Sequence, residues 1–318
     1  MQLRIMMLLS DEKNKRLCRC VESILYEVAG SFGHSFSMRY DKIGAASVNE
    51  YGAELTEETI DACRKCNGIL LDQADVQGVQ DLLDELQISL ALHYCGVPFG
   101  MDSQHGYDQW CGIIRSLDEV TVKEGMDAAF QAAKKQLCTL THVAPNGKNA
   151  EIWRNEISVH SLACPDCIQV SLDAPAVMER LVHRPESIGM LICPPYAGNI
   201  LRAAAAALCP EPSAMHTLYL GKNNVYASSY HTEQENALSP VALIMALSAM
   251  LRFTANLEKE ADCVDAAVHN VLQAGWRTPD MPCVNEDQVI TPEDMVDLIV
   301  EQIALAGQLL HGDGGMMA

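Results

Sequence analysis

The stretch Tyr196-Ala197-Gly198-Asn199-Ile200-Leu201-Arg202-Ala203 marks the point where a strand passes into a helix. It follows the apolar run 190–193 and two prolines, a pattern typical of a buried strand that ends before a helix over 198–208. In that helix Asn199 and Ala203, four positions apart, lie on one face. An amide is a weak neutral ligand and a methyl group is none, whereas Mg²⁺ and Mn²⁺ need charged oxygen donors. Asn199 is therefore a poor candidate metal ligand.

Outward from this stretch, the chain alternates between predicted strands and helices. We predict strands at 3–9, 35–41, 68–71, 97–101, 112–115, 137–143, 167–172 and 190–193. We predict helices at 16–30, 56–66, 82–95, 122–136, 148–159, 176–183, 198–208, 240–257, 258–275 and 292–310. The helix over 240–257 is apolar almost all round, which indicates burial at a domain or subunit interface. The alternation predicts an α/β fold.

Composition excludes several classes of function. The 318 residues are 49% hydrophobic and 20% charged, as in a globular protein of one large or two smaller domains. A net charge of −20 argues against nucleic acid or an anionic membrane as partner, since both demand basic surface. No apolar run reaches the roughly 18–20 residues of a spanning helix, and the first nine residues lack a cleavage site. We expect a cytoplasmic protein.

Thirteen cysteines are many for a chain expected in reducing cytoplasm, where a disulfide framework does not form. Two Cys-x-x-Cys pairs occur, Cys63/Cys66 and Cys164/Cys167. A zinc site would require the two pairs to converge with tetrahedral geometry across a wide sequence separation. We expect ordinary thiols, largely buried, rather than a metal site.

Short motifs along nearly the whole chain occur in an order typical of one family. They are Phe32-Gly33-His34, Ile43-Gly44-Ala45-Ala46, Thr56-Glu57-Glu58-Thr59, Trp153-Arg154, Arg184-Pro185, Gly198-x-Ile200-Leu201, Ser239-Pro240-Val241-Ala242, Gly275-Trp276-Arg277-Thr278-Pro279-Asp280 and Thr291-Pro292-Glu293-Asp294-Met295. In this order they resemble the isopropylmalate and isocitrate dehydrogenases, the β-decarboxylating dehydrogenases that use NAD or NADP with Mg²⁺ or Mn²⁺. The turn quoted first is similar to that family's Gly-Asp-Ile-Leu-Ser-Asp.

The resemblance implies an isopropylmalate dehydrogenase-like fold, with two α/β domains around a central cleft. The first domain would comprise residues 1–94 and 210–318. The second would comprise 95–209 and include an arm that pairs with a second subunit, so that a homodimer is implied. The helix over 240–257 would correspond to a long interface helix.

The positions that hold the metal and the general base in the family carry other residues here. The two acids of the quoted turn have become Asn199 and Ala203. The third metal carboxylate falls on Pro175, with Asp173 two residues upstream as a register-shifted candidate. The general-base lysine falls on Pro145, with Lys148 three residues further on.

The family's substrate and cofactor contacts are also largely replaced. Two of its three substrate arginines fall on Gln87 and Val97, and the third is retained as Arg115. The tyrosine that follows it in the family has no counterpart at 116–120, and the glycine-rich first turn has no glycine at 10–16. In the adenine-binding loop only His231 has a counterpart.

These losses leave three hypotheses for function. The preferred one is a divergent member without metal-dependent decarboxylation, acting without a cofactor as a non-catalytic binding or regulatory subunit, in a homodimer or a heteromer with an active paralogue. The second is an NAD(P)- and Mg²⁺/Mn²⁺-dependent dehydrogenase of a 3-isopropylmalate-like 2-hydroxy acid, with Asp173, Lys148 and Arg115 as shifted ligands. The third is a metal-independent enzyme or small-molecule sensor that uses residues near the old cleft. Its candidates are His142, His160, Cys193 and His231.

Overall fold

A computed structural model describes residues 1–96, 109–136, 138–147, 149–209, 211–229, 240–281 and 285–312. Its strands are β1 (Gln2–Leu9), β2 (Ser35–Lys42), β3 (Gly68–Leu71), β4 (Ile88–Tyr94), β5 (Trp110–Ile114), β6 (Leu140–His142), β7 (Gln169–Ser171), β8 (Met190–Cys193), β9 (His216–Gly221) and β10 (Val225–Ser228). Its α-helices are α1 (Lys15–Phe32), α2 (Ala45–Tyr51), α3 (Glu57–Arg64), α4 (Val79–Glu85), α5 (Glu119–Lys135), α6 (Asn149–Ala163), α7 (Ala174–His183), α8 (Pro195–Leu208), α9 (Val241–Phe253), α10 (Glu258–Gln273) and α11 (Pro292–Gly312). The predicted α/β class is confirmed.

These strands form a single sheet in the order β2-β1-β3-β10-β9-β4-β5-β8-β6-β7. One half consists of the parallel strands β1, β2, β3 and β10, and the other of the parallel strands β5, β8, β6 and β7. Strand β9 is antiparallel to both β10 and β4, and β4 is antiparallel to β5. Hydrogen bonds therefore run without interruption from one half to the other.

Helices cover both faces of the sheet, so the central strands are buried and apolar on both sides. On one face, α1, α5, α6, α9, α10 and α11 contribute to one large core. On the other, α3 and α4 pack on the β3–β10 half, and α7 and α8 pack on the β5–β8 half, as two separate apolar clusters. Strands β9 and β4 lie in the middle of the sheet, between its two parallel halves. Our predicted boundaries for the two domains remain a prediction.

The apolar helix α9 is buried inside the chain itself. It packs against α10, β9 and β10, and nearly all of its side chains from Val241 to Leu251 are inaccessible to solvent. This burial explains why its sequence lacks a polar face. The predicted burial of this helix is confirmed within the chain, and its place at a subunit interface stays a prediction.

Four other expectations about local structure need correction. The segment 82–95 is not one helix: α4 ends at Glu85, and β4 begins at Ile88 after a left-handed Gln87 with φ of 54°. Helix α1 continues beyond Gly30 and ends at Gly33, whose φ of 70° suits glycine. Helix α8 begins at Pro195, ahead of the predicted start. The antiparallel pair β9–β10 was not predicted.

Two expectations about the segment 95–209 are not tested by the structure. The predicted strand over 97–101 lies outside the described residues. Every strand described between 109 and 209 belongs to the central sheet, so a dimer-forming arm has no counterpart in that described part and stays a prediction.

A buried carboxylate fixes the turn that replaces the family's glycine-rich one. Asp72 follows β3 and is almost inaccessible to solvent. Both its oxygens accept from the Ser10 backbone N–H, at 3.0 and 2.9 Å, and Oδ2 accepts from Asn14 Nδ2 at 2.9 Å. Side-chain hydrogen bonds thus hold in place a turn that contains no glycine.

Candidate functional site

The residues at the predicted metal and base positions meet in one pocket. The carboxyl ends of the parallel strands β6, β7 and β8 lie at the same edge of the sheet, where α7 and α8 begin. A cavity of about 780 Å³ opens there. Pro145 follows β6, Asp173 and Pro175 follow β7, and Tyr196 lies in the first turn of α8. All four line the cavity. These positions, distant in the sequence, therefore line one cavity.

The donors around this pocket do not fit a divalent cation. Its walls are mainly apolar or proline side chains, and Asp173 is its carboxylate. Asp173 Oδ1 already accepts from the Ala176 N–H at 2.9 Å as the N-cap of α7. Asn199 is exposed on α8, with Ala203 one turn further along. Within the described ranges no three His, Cys, Asp or Glu side chains are grouped as metal ligands.

We predict that Asp173 stabilises a helix and has no role in metal binding. Asp173→Ala should lower the free energy of unfolding by about 1 kcal/mol, the usual cost of a lost N-cap. The melting temperatures of wild type and variant should respond equally to 10-fold steps in Mg²⁺ concentration. Asp118→Ala, which removes the N-cap of α5 outside the pocket, is the matched control. A Mg²⁺ response present in wild type and in Asp118→Ala but missing from Asp173→Ala would contradict this prediction.

Arg115, predicted as a substrate contact, is held by its own neighbours. Its Nη1 donates to the Ile88 carbonyl at 3.3 Å and its Nη2 to Gln80 Oε1 at 3.0 Å, and Nη2 also lies 2.8 Å from Asp84 Oδ1. The guanidinium thus ties the end of β5 to α4 and to the start of β4. It does not line the pocket near Asp173.

Two other predicted site residues, Lys148 and His231, lie outside the described residues, as does Val97. The two histidine candidates of the third hypothesis that the structure describes, His142 and His160, lie on different elements. His142 at the end of β6 is buried, and burial lowers its pKa. His160 on α6 bonds the Glu156 carbonyl at 2.8 Å and packs against Phe130 on the opposite face of the sheet.

The cysteines behave as buried thiols. Each of the twelve cysteines in the described part of the chain is free, without a disulfide. Cys193 at the end of β8 is fully buried, and desolvation raises the pKa of its thiol well above the ordinary value. A thiol held in its neutral form is a weak nucleophile. The same effect raises the pKa of Cys63, to about 12.

The middle of the sheet carries a polar group that the sequence analysis missed. In the sheet register, Thr217 of β9 lies opposite His93 of β4, and His93 lies opposite Cys111 of β5. His93 Nδ1 is 2.8 Å from Thr217 Oγ1, and Thr217 Oγ1 in turn bonds Ser229 Oγ. Burial, together with the nearby Arg202 charge, lowers the pKa of His93 to about 3. His93 is therefore neutral at physiological pH.

Arg202 lies on α8, and its charge acts on His93. It stands in the quoted stretch at the position of the serine in the family's turn, and it is half-buried. Gly198, one turn earlier, packs so closely that a Cβ there would lie 2.8 Å from Ile113 Cγ1. Among the described residues, Arg202 has no hydrogen bond or ion pair. Its signal in the sequence is an arginine next to Ala203 and three residues after Asn199.

Among the helices that the structure describes, none combines the length and apolar character that a membrane crossing requires.

Comparison with known proteins agrees with this architecture. The model of the isocitrate/isopropylmalate dehydrogenase family matches residues 94–299, which is more than half of the chain. A 3-isopropylmalate dehydrogenase of Oleidesulfovibrio alaskensis is 24% identical over 88% of this chain and 94% of its own length. A second one, from Rhodopirellula baltica, is 23% identical over 94% of this chain and 99% of its own length.

Solved structures share the fold at lower sequence identity. Isocitrate dehydrogenase from Methylococcus capsulatus superposes with a TM-score of 0.77 at 15% identity, covering 95% of this chain and all (100%) of that one. The apo β-decarboxylating dehydrogenase from Thermococcus kodakarensis gives a TM-score of 0.79 at 16% identity, covering 99% of each chain. Fold and family match together define an α/β protein of the dehydrogenase type. The chain belongs to the isocitrate/isopropylmalate dehydrogenase family.

Proposed function

We propose that this family member has lost metal-dependent oxidative decarboxylation and acts without NAD(P) or metal, as a non-catalytic binding or regulatory subunit. One observation carries the proposal. The pocket where the metal and base positions converge is walled by Pro145, Pro175 and apolar side chains, and its carboxylate, Asp173, is engaged as a helix cap. Decarboxylation in this family needs a cation to polarise the 2-oxo group, and hydride transfer needs a base for the hydroxyl proton.

The second hypothesis, of shifted ligands, is less well supported by the geometry. Asp173 does lie in the pocket, as that hypothesis requires. Arg115, however, is bonded to Ile88, Gln80 and Asp84. A carboxylate substrate would have to displace these partners before it could bind the guanidinium.

The test is a direct assay of metal-dependent oxidative decarboxylation. We expect no reduction of NAD or NADP above background with 3-isopropylmalate or isocitrate and saturating Mg²⁺ or Mn²⁺, while an active family member assayed in parallel turns over. Without a charged metal site or a base, the rate should fall by many orders of magnitude. Metal-dependent turnover that disappears in Asp173→Asn would overturn the proposal and establish the shifted-ligand enzyme.

The proposal extends to partners and compartment. We propose a cytoplasmic subunit that forms a homodimer or pairs with an active paralogue. Large apolar side chains such as Leu162, at 86% exposed, and Tyr196, at 82% exposed, remain uncovered on α6 and α8 of the single chain. Affinity capture that returns an active relative would support the heteromer, whereas a homodimer that captures no relative would favour self-association.

A further inference from the structure

We propose that Cys164 and Cys167 form a site of reversible oxidation, at which a small disulfide such as oxidised glutathione converts the two thiols into one intramolecular disulfide. The pair is one of the two Cys-x-x-Cys motifs, and it lies in the connection between α6 and β7. Neither cysteine lines the pocket around Asp173. The site is therefore independent of the proposed function.

A tight turn brings the two cysteines together. The Cys167 backbone N–H donates to the Cys164 carbonyl at 3.1 Å, so the four residues form a hydrogen-bonded β-turn. A β-turn places its first and last Cα atoms within about 7 Å of each other, and disulfides join cysteines whose Cα atoms are about 4.4–6.8 Å apart. Pro165, at the second position, has the fixed φ that favours such a turn. The backbone therefore holds the pair close to disulfide range before any oxidation.

Both cysteine side chains lie on the same side of the turn. Cys164 and Cys167 each pack against the large core to which α5 and α6 contribute. Burial, and then the nearby Cys164 thiol, raise the pKa of the Cys167 thiol. A thiol whose charge acts on another is close to it in space. A bond between the two sulfurs can therefore form without either side chain crossing the turn.

The turn is open to solvent. Cys164 and Cys167 are half-buried, and the two residues between them, Pro165 and Asp166, are exposed. A small disulfide in solution can thus approach the thiols from outside, without entry into the core. Access of this kind is what distinguishes cysteines that oxidise from those that only pack.

The other Cys-x-x-Cys motif has the same spacing but not the same access. The Cys66 N–H donates to the Cys63 carbonyl at 3.0 Å, as in the first motif. Cys63, however, lies within α3 and is 0% exposed, and burial raises the pKa of its thiol to about 12. A buried neutral thiol does not attack a disulfide in solution. Cys63 and Cys66 are therefore a matched control within the same chain.

Oxidation proceeds by two thiol–disulfide exchanges. One cysteine thiolate attacks a sulfur of oxidised glutathione, forms a mixed disulfide and releases one glutathione thiolate. The second cysteine thiolate attacks the protein sulfur of that mixed disulfide and releases the other glutathione thiolate. Two electrons pass from the protein to glutathione, and the released thiolates take up the two thiol protons. In a compartment buffered by glutathione, such a bond is transient and responds to the redox state.

A third cysteine is a competing partner. Cys138 precedes β6 and also packs on the large core. Leu140 pairs with Gln169 in the β6–β7 register, and two residues earlier on each strand this register brings Cys138 beside Cys167. A Cys138–Cys167 bond would join two separate segments, whereas a Cys164–Cys167 bond closes a turn that a hydrogen bond already closes. The turn is the favoured partner because its ends need less ordering.

The test maps the disulfides of the full chain after equilibration in EDTA with mixtures of reduced and oxidised glutathione. Trypsin cuts after Arg154 and Arg180 and at no site between them, so Cys164 and Cys167 fall in one peptide without other cysteines. The sample is quenched with acid and its remaining thiols are alkylated in denaturant. We expect the doubly alkylated peptide to fall about 10-fold or more, replaced by a form that lacks both alkyl groups and two hydrogen atoms. Dithiothreitol should restore it, and the other Cys-x-x-Cys pair should stay alkylated.

Substitutions identify the partner thiol. Cys164→Ser should accumulate the glutathione mixed disulfide on Cys167 about 10-fold or more above wild type, because the resolving thiol is missing. Cys138→Ser, the matched control, should oxidise as wild type does. A Cys138–Cys167 crosslink, equal oxidation of Cys63 and Cys66, or a pair that stays reduced in oxidised glutathione would each overturn the site. Catalytic turnover enters none of these measurements, so failure here leaves the proposed function untouched.

Discussion

Asp72→Ala should lower the free energy of unfolding by about 3 kcal/mol or more. The substitution leaves the Ser10 backbone N–H and the Asn14 amide without the acceptor that they share in the buried turn. Each buried donor left unsatisfied costs about 1–3 kcal/mol. The measurement is urea unfolding followed by circular dichroism. Asp84→Ala, which removes a carboxylate that is 71% exposed, should change stability by less than about 1 kcal/mol.

The same carboxylate gives the stability a pH dependence of defined sign. Burial is the largest effect on Asp72 and raises its pKa above the ordinary value of 3.8, against the hydrogen bonds from Asn14 and Ser10, which lower it. The folded state therefore holds this proton more tightly than the unfolded chain does. This contribution is fully present below the ordinary pKa and is lost as the pH rises through the folded pKa. Asp72→Asn should flatten that part of the stability profile, and an unchanged slope would contradict the assignment.

Trp153→Ala should lower the free energy of unfolding by about 3–5 kcal/mol, the range for truncating a large aromatic side chain in a packed core. Trp153 is 0% exposed and anchors α6 in the large core formed with α5 and the sheet. Thermal or urea unfolding measures the loss.

The control for Trp153→Ala is a substitution on the same helix, α6. Leu162→Ala removes an apolar side chain that is 86% exposed, so the unfolding free energy of the monomer should change by less than about 0.5 kcal/mol. A large loss for Leu162→Ala would show that this side chain is covered in solution. Equal small losses for both variants would contradict the packing described for α6.

The sequence patterns that predicted the fold best were those with one clear period. The apolar runs of β1, β3 and β8, buried on both faces, and the Thr56 N-cap, which accepts from the Thr59 N–H at 3.1 Å, were read correctly. The predicted helix over 82–95 was wrong because two hydrophobic periodicities meet in this segment. Helical spacing ends with α4, and alternation at Leu86, Ile88, Leu90 and Leu92 then indicates a strand.

Local sequence patterns did not predict the packing between segments that are far apart in the chain. An apolar helix such as α9 must be buried, but its sequence does not say whether its own chain or another subunit covers it. Here α10 and the strands β9 and β10 cover it. The pairing of β9 with both β10 and β4 likewise depends on contacts between segments far apart in the chain.

At the candidate site, comparison with a motif could address only the positions that the motif contains. Positions such as Pro145 and Pro175 could be compared with a known motif, and the structure brings both into one pocket. Arg202 and His93 occupy positions to which the motif assigns no charge or ring. The effect of the Arg202 charge on His93 depends on how α8 packs on the sheet and on the pairing of β4 with β9.

The unbroken sheet also limits how its two halves can move relative to each other. Because β10, β9, β4 and β5 are joined strand to strand by backbone hydrogen bonds, the two halves are not connected at this point by a free hinge. Movement of α8 toward α4 requires the sheet itself to change its twist, which is a stiff and distributed deformation.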